Sequence, residues 1–297
     1  MSPVRIGVTP PAGALSGPPA ARVSALAAVA DAGIDHLFVA DHVSFQGGHG
    51  TDGLLQAGQL AAVGELPIVV GVYLLALRHP LAVARQIADL ESSSPGQLVL
   101  GVGVGGEDRS EVTNCGVDAT TRGRRTDEAL ALLRRLLAGE RVTHDGEFFA
   151  LDAAAIRPAP ATPPPILVGG RSDAALRRTG RHGDGWLAAW VTPDRFARSV
   201  AAIDGGDRPL RHGLQLWAGF GPDRDSARER VARGMYGFYR LPFEPFERTT
   251  PYGTPEEVAD FLRPYLELGV EIVNLHPCAG DAAEGIEAVA EVAALLR

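Results

Sequence analysis

The sequence predicts an α/β fold, a single (β/α)8 TIM barrel over residues 1–297, from three observations. Short runs of strand-forming residues alternate with helical patterns from end to end, as successive βα units around a parallel sheet require. One such run, Leu98 to Gly106, is apolar enough for a buried strand and then dissolves into Gly101, Gly103, Gly105 and Gly106. The same design recurs at Ile166 to Gly170. Glycine at a strand exit lets a flat ligand or an anionic tail approach the backbone, so two such exits suggest a cofactor across the C-terminal face of a barrel. The length exceeds a usual domain, but α/β barrels reach it with one core.

Strands are expected at 4–8, 36–40, 67–75, 98–104, 166–170, 186–190, 214–220 and 270–275. Between them, helices are expected at 20–32, 54–64, 80–92, 120–139, 172–181, 193–203, 223–239 and 254–268, with a last one at 285–297. Pro80, Pro193 and Pro255 sit at or near helix starts, where a missing N–H costs little. The helix through Ala129, Leu132, Leu133, Leu136 and Leu137 has the clearest apolar stripe, with Arg134 and Arg135 on its solvent side. One segment breaks the alternation: Asp145-Gly146, between Val142-Thr143 and Phe148-Phe149, reads as the two-residue turn of a β-hairpin. With the proline-rich stretch that follows, it forms an insertion over about 140–165, before strand five.

Composition narrows the chemistry. A formal net charge of −8 disfavours a nucleic acid or an anionic membrane as partner and points to a small molecule. All 28 lysine-plus-arginine positions are arginine. Without lysine there is no Schiff-base aldolase, no ordinary pyridoxal enzyme and no Walker-type phosphate loop. Cys115 and Cys278 are too few and too distant for a disulfide framework or a zinc site, which fits a reducing cytoplasm. No basic region followed by an apolar stretch opens the chain, and the apolar run at 67–77 is too short to span a bilayer. A cytoplasmic location is the expectation.

Gly101-x-Gly103-x-x-Gly106 matches a dinucleotide fingerprint by its letters, but it sits on the fourth strand and runs into Glu107, Asp108, Arg109 and Glu111. A barrel-mouth cofactor site is the better reading, with a purely structural glycine turn as the alternative. Gly169-Gly170-Arg171-Ser172 ends strand five and enters a helix, so free N–H groups and the arginine would meet an anion; an ordinary Ser172 N-cap is the alternative. Asp41-His42 closes strand two, and side-chain alternation sends at most one of the pair into the mouth unless the chain turns. Arg78-His79-Pro80 reads as a strand-to-helix corner. Metal hydrolysis is disfavoured, because strand one ends in Thr9-Pro10 and no His-Glu-x-x-His occurs.

Five segments, taken in order, resemble the luciferase-like monooxygenase superfamily, barrel proteins that use flavin mononucleotide or a deazaflavin. They are Leu37-Phe38-Val39-Ala40-Asp41-His42, Leu77-Arg78-His79-Pro80, Gly96-Gln97-Leu98-Val99-Leu100-Gly101-Val102-Gly103, Pro165-Ile166-Leu167-Val168-Gly169-Gly170 and Gly183-Asp184-Gly185-Trp186. The resemblance implies that Asp41 and His42 lie beside the ring system, with His42 handling the substrate proton. It implies a bulge at Tyr73 and Leu74, often with a non-proline cis peptide, supporting one ring face. Gly105 and Gly106 would line the cofactor, and Val168, Gly169, Gly170 and Arg171 would contact its phosphate side. Sugar-phosphate dehydrogenases of the deazaflavin group carry an acid directly after the third glycine of strand four and use lysines for the substrate phosphate. This chain has Gly106 there, Glu107 one residue later, and no lysine.

The resulting expectation is an oxidoreductase that binds coenzyme F420 and transfers a hydride to or from a small organic substrate, with His42 as general acid or base. An FMN-dependent monooxygenase and a non-catalytic flavin-binding barrel are the alternatives. The resemblance also implies a homodimer packed through 54–64 and 80–92, and on the second of these Leu81, Val83, Ala84, Ile87 and Leu90 spread wider than one core stripe requires. The loops at 44–53, 107–121 and 240–252 carry no readable substrate code.

Overall fold

The computed structural model describes residues 4–105 and 108–297. Strands β1 (Arg5–Val8), β2 (His36–Val39), β3 (Ile68–Leu74) and β4 (Leu98–Gly103) come first, then a separate antiparallel pair, β5 (Val142–Asp145) and β6 (Ala150–Ala154). They are followed by β7 (Ile166–Gly169), β8 (Gly185–Ala189), β9 (His212–Phe220), the two-residue β10 (Tyr252–Gly253) and β11 (Val270–Cys278). Hydrogen bonding runs parallel in the order β9, β11, β1, β2, β3, β4, β7, β8, and β8 pairs back to β9, so eight strands close a barrel. Every barrel strand expected from the sequence is present, so the (β/α)8 architecture holds.

The helices are α1 (Ala12–Leu15), α2 (Pro19–Asp31), α3 (Gly53–Ala61), α4 (Pro80–Ser93), α5 (Arg109–Asn114) and α6 (Arg122–Leu137) in the first half. The second half adds α7 (Asp173–His182), α8 (Pro193–Ala201), α9 (Arg224–Tyr239), α10 (Pro255–Glu267) and α11 (Ala282–Leu296). Helix starts follow the capping chemistry of the sequence: Asp52, Ser172, Thr192, Asp223 and Thr254 each accept a first-turn N–H, and Thr254 with Glu257 forms a full capping box. Two short helices, α1 and α5, occupy stretches without a helical pattern.

Alternation divides the core in two. Inside the barrel, Phe38, Val69, Val99, Leu167, Leu187 and Ile272 form one apolar layer. The opposite faces of the strands, with Ile6, Leu37, Val70, Leu100, Val168, Trp186, Leu214 and Val273, pack under the helices. The interior also carries a polar chain in which His36 donates to Asn274 Oδ1 at 2.7 Å, Asn274 Nδ2 to Gln215 Oε1 at 3.2 Å, and Gln215 Nε2 to the Gly71 carbonyl at 2.9 Å. Burial pushes the His36 imidazole down to about 4, so it sits neutral and its Nε2–H serves as the donor.

Two expectations change. The hairpin tip is Glu147-Phe148, closed by the Gly146 N–H on the Phe149 carbonyl at 3.0 Å, and Asp145 lies in β5. Glu128 of α6 decides this, since it takes the Phe148 and Phe149 N–H groups and His144 Nε2 at 3.0 Å. The breadth of apolar residues on α4 is also used within the chain: Val83, Ala84 and Ile87 are fully buried, Leu90 nearly so, and Leu81 packs partly against the same core. That breadth therefore gives no reason for a second copy. Among the described residues no helix is long and apolar enough to cross a membrane.

Candidate cofactor and substrate site at the barrel mouth

A cavity of about 660 Å³ opens at the C-terminal ends of the strands. On β2 the inward parity that places Phe38 in the barrel continues through Ala40 to His42, and all three line the cavity. Asp41 also borders the cavity, but its carboxylate turns away from it. Its side chain is fully buried and accepts the Gly53 N–H at 2.9 Å, the Leu74 N–H at 2.8 Å, and a fork from Arg78 at 2.6 and 2.8 Å. Burial raises its proton affinity and Arg78 opposes that, but all four partners are donors, so the carboxylate is the form that fits. Asp41 thus ties the end of β2 to the start of α3 and the end of β3. Arg78, the expected corner residue, also reaches Asp52 at 3.1 Å and covers the Tyr73 ring at 4.3 Å.

The expected bulge exists, two residues earlier than expected. Val70 pairs with Leu100, but Tyr73 pairs with Val102, and the extra residue falls at Gly71-Val72, joined by a cis peptide bond. A slip of one residue exchanges the two faces of a strand. Val72 therefore points into the barrel, Leu74 lines the cavity, and Tyr73, fully buried, belongs to the layer under the helices. Plain alternation had Tyr73 facing inward, and the bulge reverses it.

The glycines of β4 serve two purposes. A Cβ on Gly103 would stand 2.3 Å from Val72 Cγ2, so that glycine makes room for the bulge opposite. Gly105 has φ +67° and no atom nearer than 3.5 Å to an added Cβ, so it keeps the cavity edge open. Gly106 lies outside the described residues. At the end of β7, Gly169, Gly170 and Arg171 line the cavity, whereas Val168 follows its parity into the outer core. Gly170 is fixed by the Trp186 indole N–H on its carbonyl at 2.7 Å, and Arg171 donates to the Trp190 carbonyl at 3.2 Å. Ser172, which also lines the cavity, caps α7 by accepting the Ala175 N–H at 3.2 Å, so the helix starts beside the mouth.

Two groups of residues escaped the sequence reading. Glu111 on α5 is 2% exposed and accepts Val43 N–H at 2.6 Å, Ser44 N–H at 3.1 Å and His42 Nδ1 at 3.1 Å. The signal for it was an Asp108-x-x-Glu111 start, since Asp108 caps α5 by accepting the Ser110 N–H at 2.9 Å. Among the described residues Nε2 of His42 has no partner and the ring lines the cavity. The second group is aromatic: Trp190, Trp217, Phe238, Tyr239 and His276 close the other side. β11 continues to Cys278, three residues past its expected end, paired with β9 so that His276 stands beside Trp217 at 4.0 Å between rings.

A parallel barrel with a glycine-edged mouth, a helix start beside it and an oriented imidazole within it defines a barrel protein able to hold a flat, anionic cofactor. The chain belongs to the luciferase-like monooxygenase family, whose model matches residues 1–248. It is 31% identical over 298 residues to the F420-dependent glucose-6-phosphate dehydrogenase of Beutenbergia cavernae, covering 88% of each chain. It is also 31% identical over 217 residues to the protein of that name from Microbacterium testaceum, where the match takes 67% of this chain and spans 64% of the relative's length. Among solved structures, an F420-dependent secondary alcohol dehydrogenase in complex with an F420-acetone adduct shares the fold, with TM-score 0.82, 20% identity and 99% of both chains covered.

Proposed function

We propose that the protein is an oxidoreductase that uses coenzyme F420 to transfer a hydride to or from a small organic substrate. One observation carries the reading: Glu111 holds His42 by Nδ1 at 3.1 Å, turning Nε2 toward a cavity whose far rim is glycine and a helix start. The residues present fit the coenzyme. Val72, Leu74 and Leu187 offer an apolar bed for a flat ring, Gly105 leaves its edge free of side chains, and the start of α7 with Arg171 suits a phosphate. Relatives named for F420 dependence support the choice of coenzyme.

Bound coenzyme would supply the hydride acceptor or donor. The chain's own part is proton handling, orientation and exclusion of water. With Nδ1–H donated to Glu111, Nε2 carries the lone pair and is placed to take a proton from a substrate hydroxyl; in the reverse direction it returns that proton. Asp41 serves the site indirectly, since its bonds to Gly53 and Leu74 set the loop that carries His42 and the bulge that forms the floor. Titration by fluorescence should show coenzyme F420 binding at least about tenfold more tightly than FMN, a difference of about 1.4 kcal/mol. Equal or reversed affinities would move the protein to the FMN-dependent oxygenase branch.

A further inference from the structure

We propose that the substrate is a neutral, mainly apolar alcohol or ketone bearing an aromatic or bulky hydrocarbon group, received by the wall of Trp217, Phe238, Tyr239 and Trp190. Its chemistry rests on the deazaflavin reading above, but the pocket does not. Phe238 stands 5.8 Å from the His42 ring and 5.9 Å from Trp217, and Tyr239 stands 5.3 Å from Trp190, so the imidazole faces a continuous aromatic surface. Trp190, Trp217 and Phe238 are only half-buried, and they line the cavity, so apolar surface there is left for a ligand to cover.

Among the described residues no arginine packs on the Trp217 and Phe238 rings beside His42. Of the two lining arginines, Arg122 donates to the carbonyls of Gly105 and Ala119, and Arg171 touches only the Trp190 end of the wall, donating to the Trp190 carbonyl at 3.2 Å with its guanidinium 5.7 Å from that ring. No lysine exists to serve the aromatic wall. His276, beside Trp217, is held neutral by burial, which lowers its imidazole to about 4. A sugar phosphate seated against Trp217 and Phe238 would bury a dianion on apolar rings, with Arg171 only at the Trp190 end, whereas an aryl or alkyl ketone would be matched there. In oxidation the carbinol C–H bond breaks with its electron pair passing to the deazaflavin, the hydroxyl proton passes to His42 Nε2, and the C=O bond forms. Ketone reduction runs the same transfers backwards.

Calorimetric titration with acetophenone and with glucose 6-phosphate tests the proposal, on protein loaded with coenzyme F420 and on protein without it, with tryptophan quenching as a second readout. Acetophenone should bind saturably, Phe238→Ala should weaken it about tenfold with the folded signal retained, and glucose 6-phosphate should not saturate at the same concentrations. Saturable glucose 6-phosphate binding, or wild-type protein that fails to bind acetophenone in both forms, overturns it. Acetophenone binding to a protein that refuses the coenzyme supports the pocket while overturning the proposed function.

Discussion

Glu111→Gln separates a positioned base from a histidine that only packs at the rim. The substituted side chain keeps an oxygen for the Val43 and Ser44 N–H groups, which sit at 2.6 and 3.1 Å, so the loop after β2 should hold. What changes is the group facing His42 Nδ1. An amide NH2 there donates to Nδ1, which forces the ring proton onto Nε2 and removes the lone pair from the cavity. The variant also removes a negative charge 3.1 Å from the imidazolium formed in turnover, about 5 kcal/mol of Coulomb attraction at an effective dielectric of about 20. Desolvation and water competition reduce a charged hydrogen bond to about 1.5–3 kcal/mol net, or roughly 10- to 100-fold in rate. The wrong tautomer adds to that, and carboxylate-to-amide changes behind a catalytic imidazole cost up to about 10,000-fold. The expected loss in turnover is roughly 100- to 10,000-fold, with little change in coenzyme affinity or thermal midpoint. Nitrogen NMR should show the proton on Nδ1 in the parent and on Nε2 in the variant. Turnover within threefold of the parent, or an unchanged tautomer, would refute the reasoning.

Other perturbations probe the supports of the site. His42→Ala should lower turnover by roughly 100- to 10,000-fold while shifting coenzyme affinity only modestly; full turnover, or complete loss of the coenzyme, would reassign the residue to a structural role. Arg78→Met strands the buried Asp41 carboxylate, so urea unfolding should show a loss of about 3–5 kcal/mol, partly recovered when Asp41→Asn is added. No recovery in the double variant would mean that Arg78 acts through Tyr73 and Asp52 instead. For His36, lowered to about 4 from 6.5 by burial, the stability of the neutral ring is complete above 6.5 and is lost as pH falls toward 4, a contribution of ~3 kcal/mol. The thermal midpoint should therefore decline across that window, and His36→Gln should flatten the slope; an unchanged slope would place the titration elsewhere.

Much of the site was legible because it is local. Gly169-Gly170-Arg171-Ser172 shows a strand exit and a helix cap within a few residues, and Asp41-His42 sits where β2 ends. Parity along one strand also separates Leu167 and Gly169, which face inward, from Val168, which does not. Glu111 was harder to see because α5 is a short helix between glycines and a turn, too brief for a periodic stripe. The aromatic wall was harder still. Its residues are spread over β8, β9, α9 and β11, and none has a sequence neighbour that marks it.

By itself the sequence determined the eight-strand barrel, the exclusion of lysine chemistry and the strand ends at Asp41-His42 and Gly169-Gly170-Arg171 that border the mouth, because period, composition and capping are properties of neighbouring residues. Tertiary structure alone decided which way several of them face. One extra residue at Gly71-Val72 turns Tyr73 out and Val72 in, and only pairing with β4 reveals it. It also decided that Asp41 is a structural anchor and His42 the ring that lines the cavity, since their partners Arg78 and Glu111 lie 37 and 69 residues further along the chain. Pairings at that separation leave no local pattern, and they form only when the barrel closes.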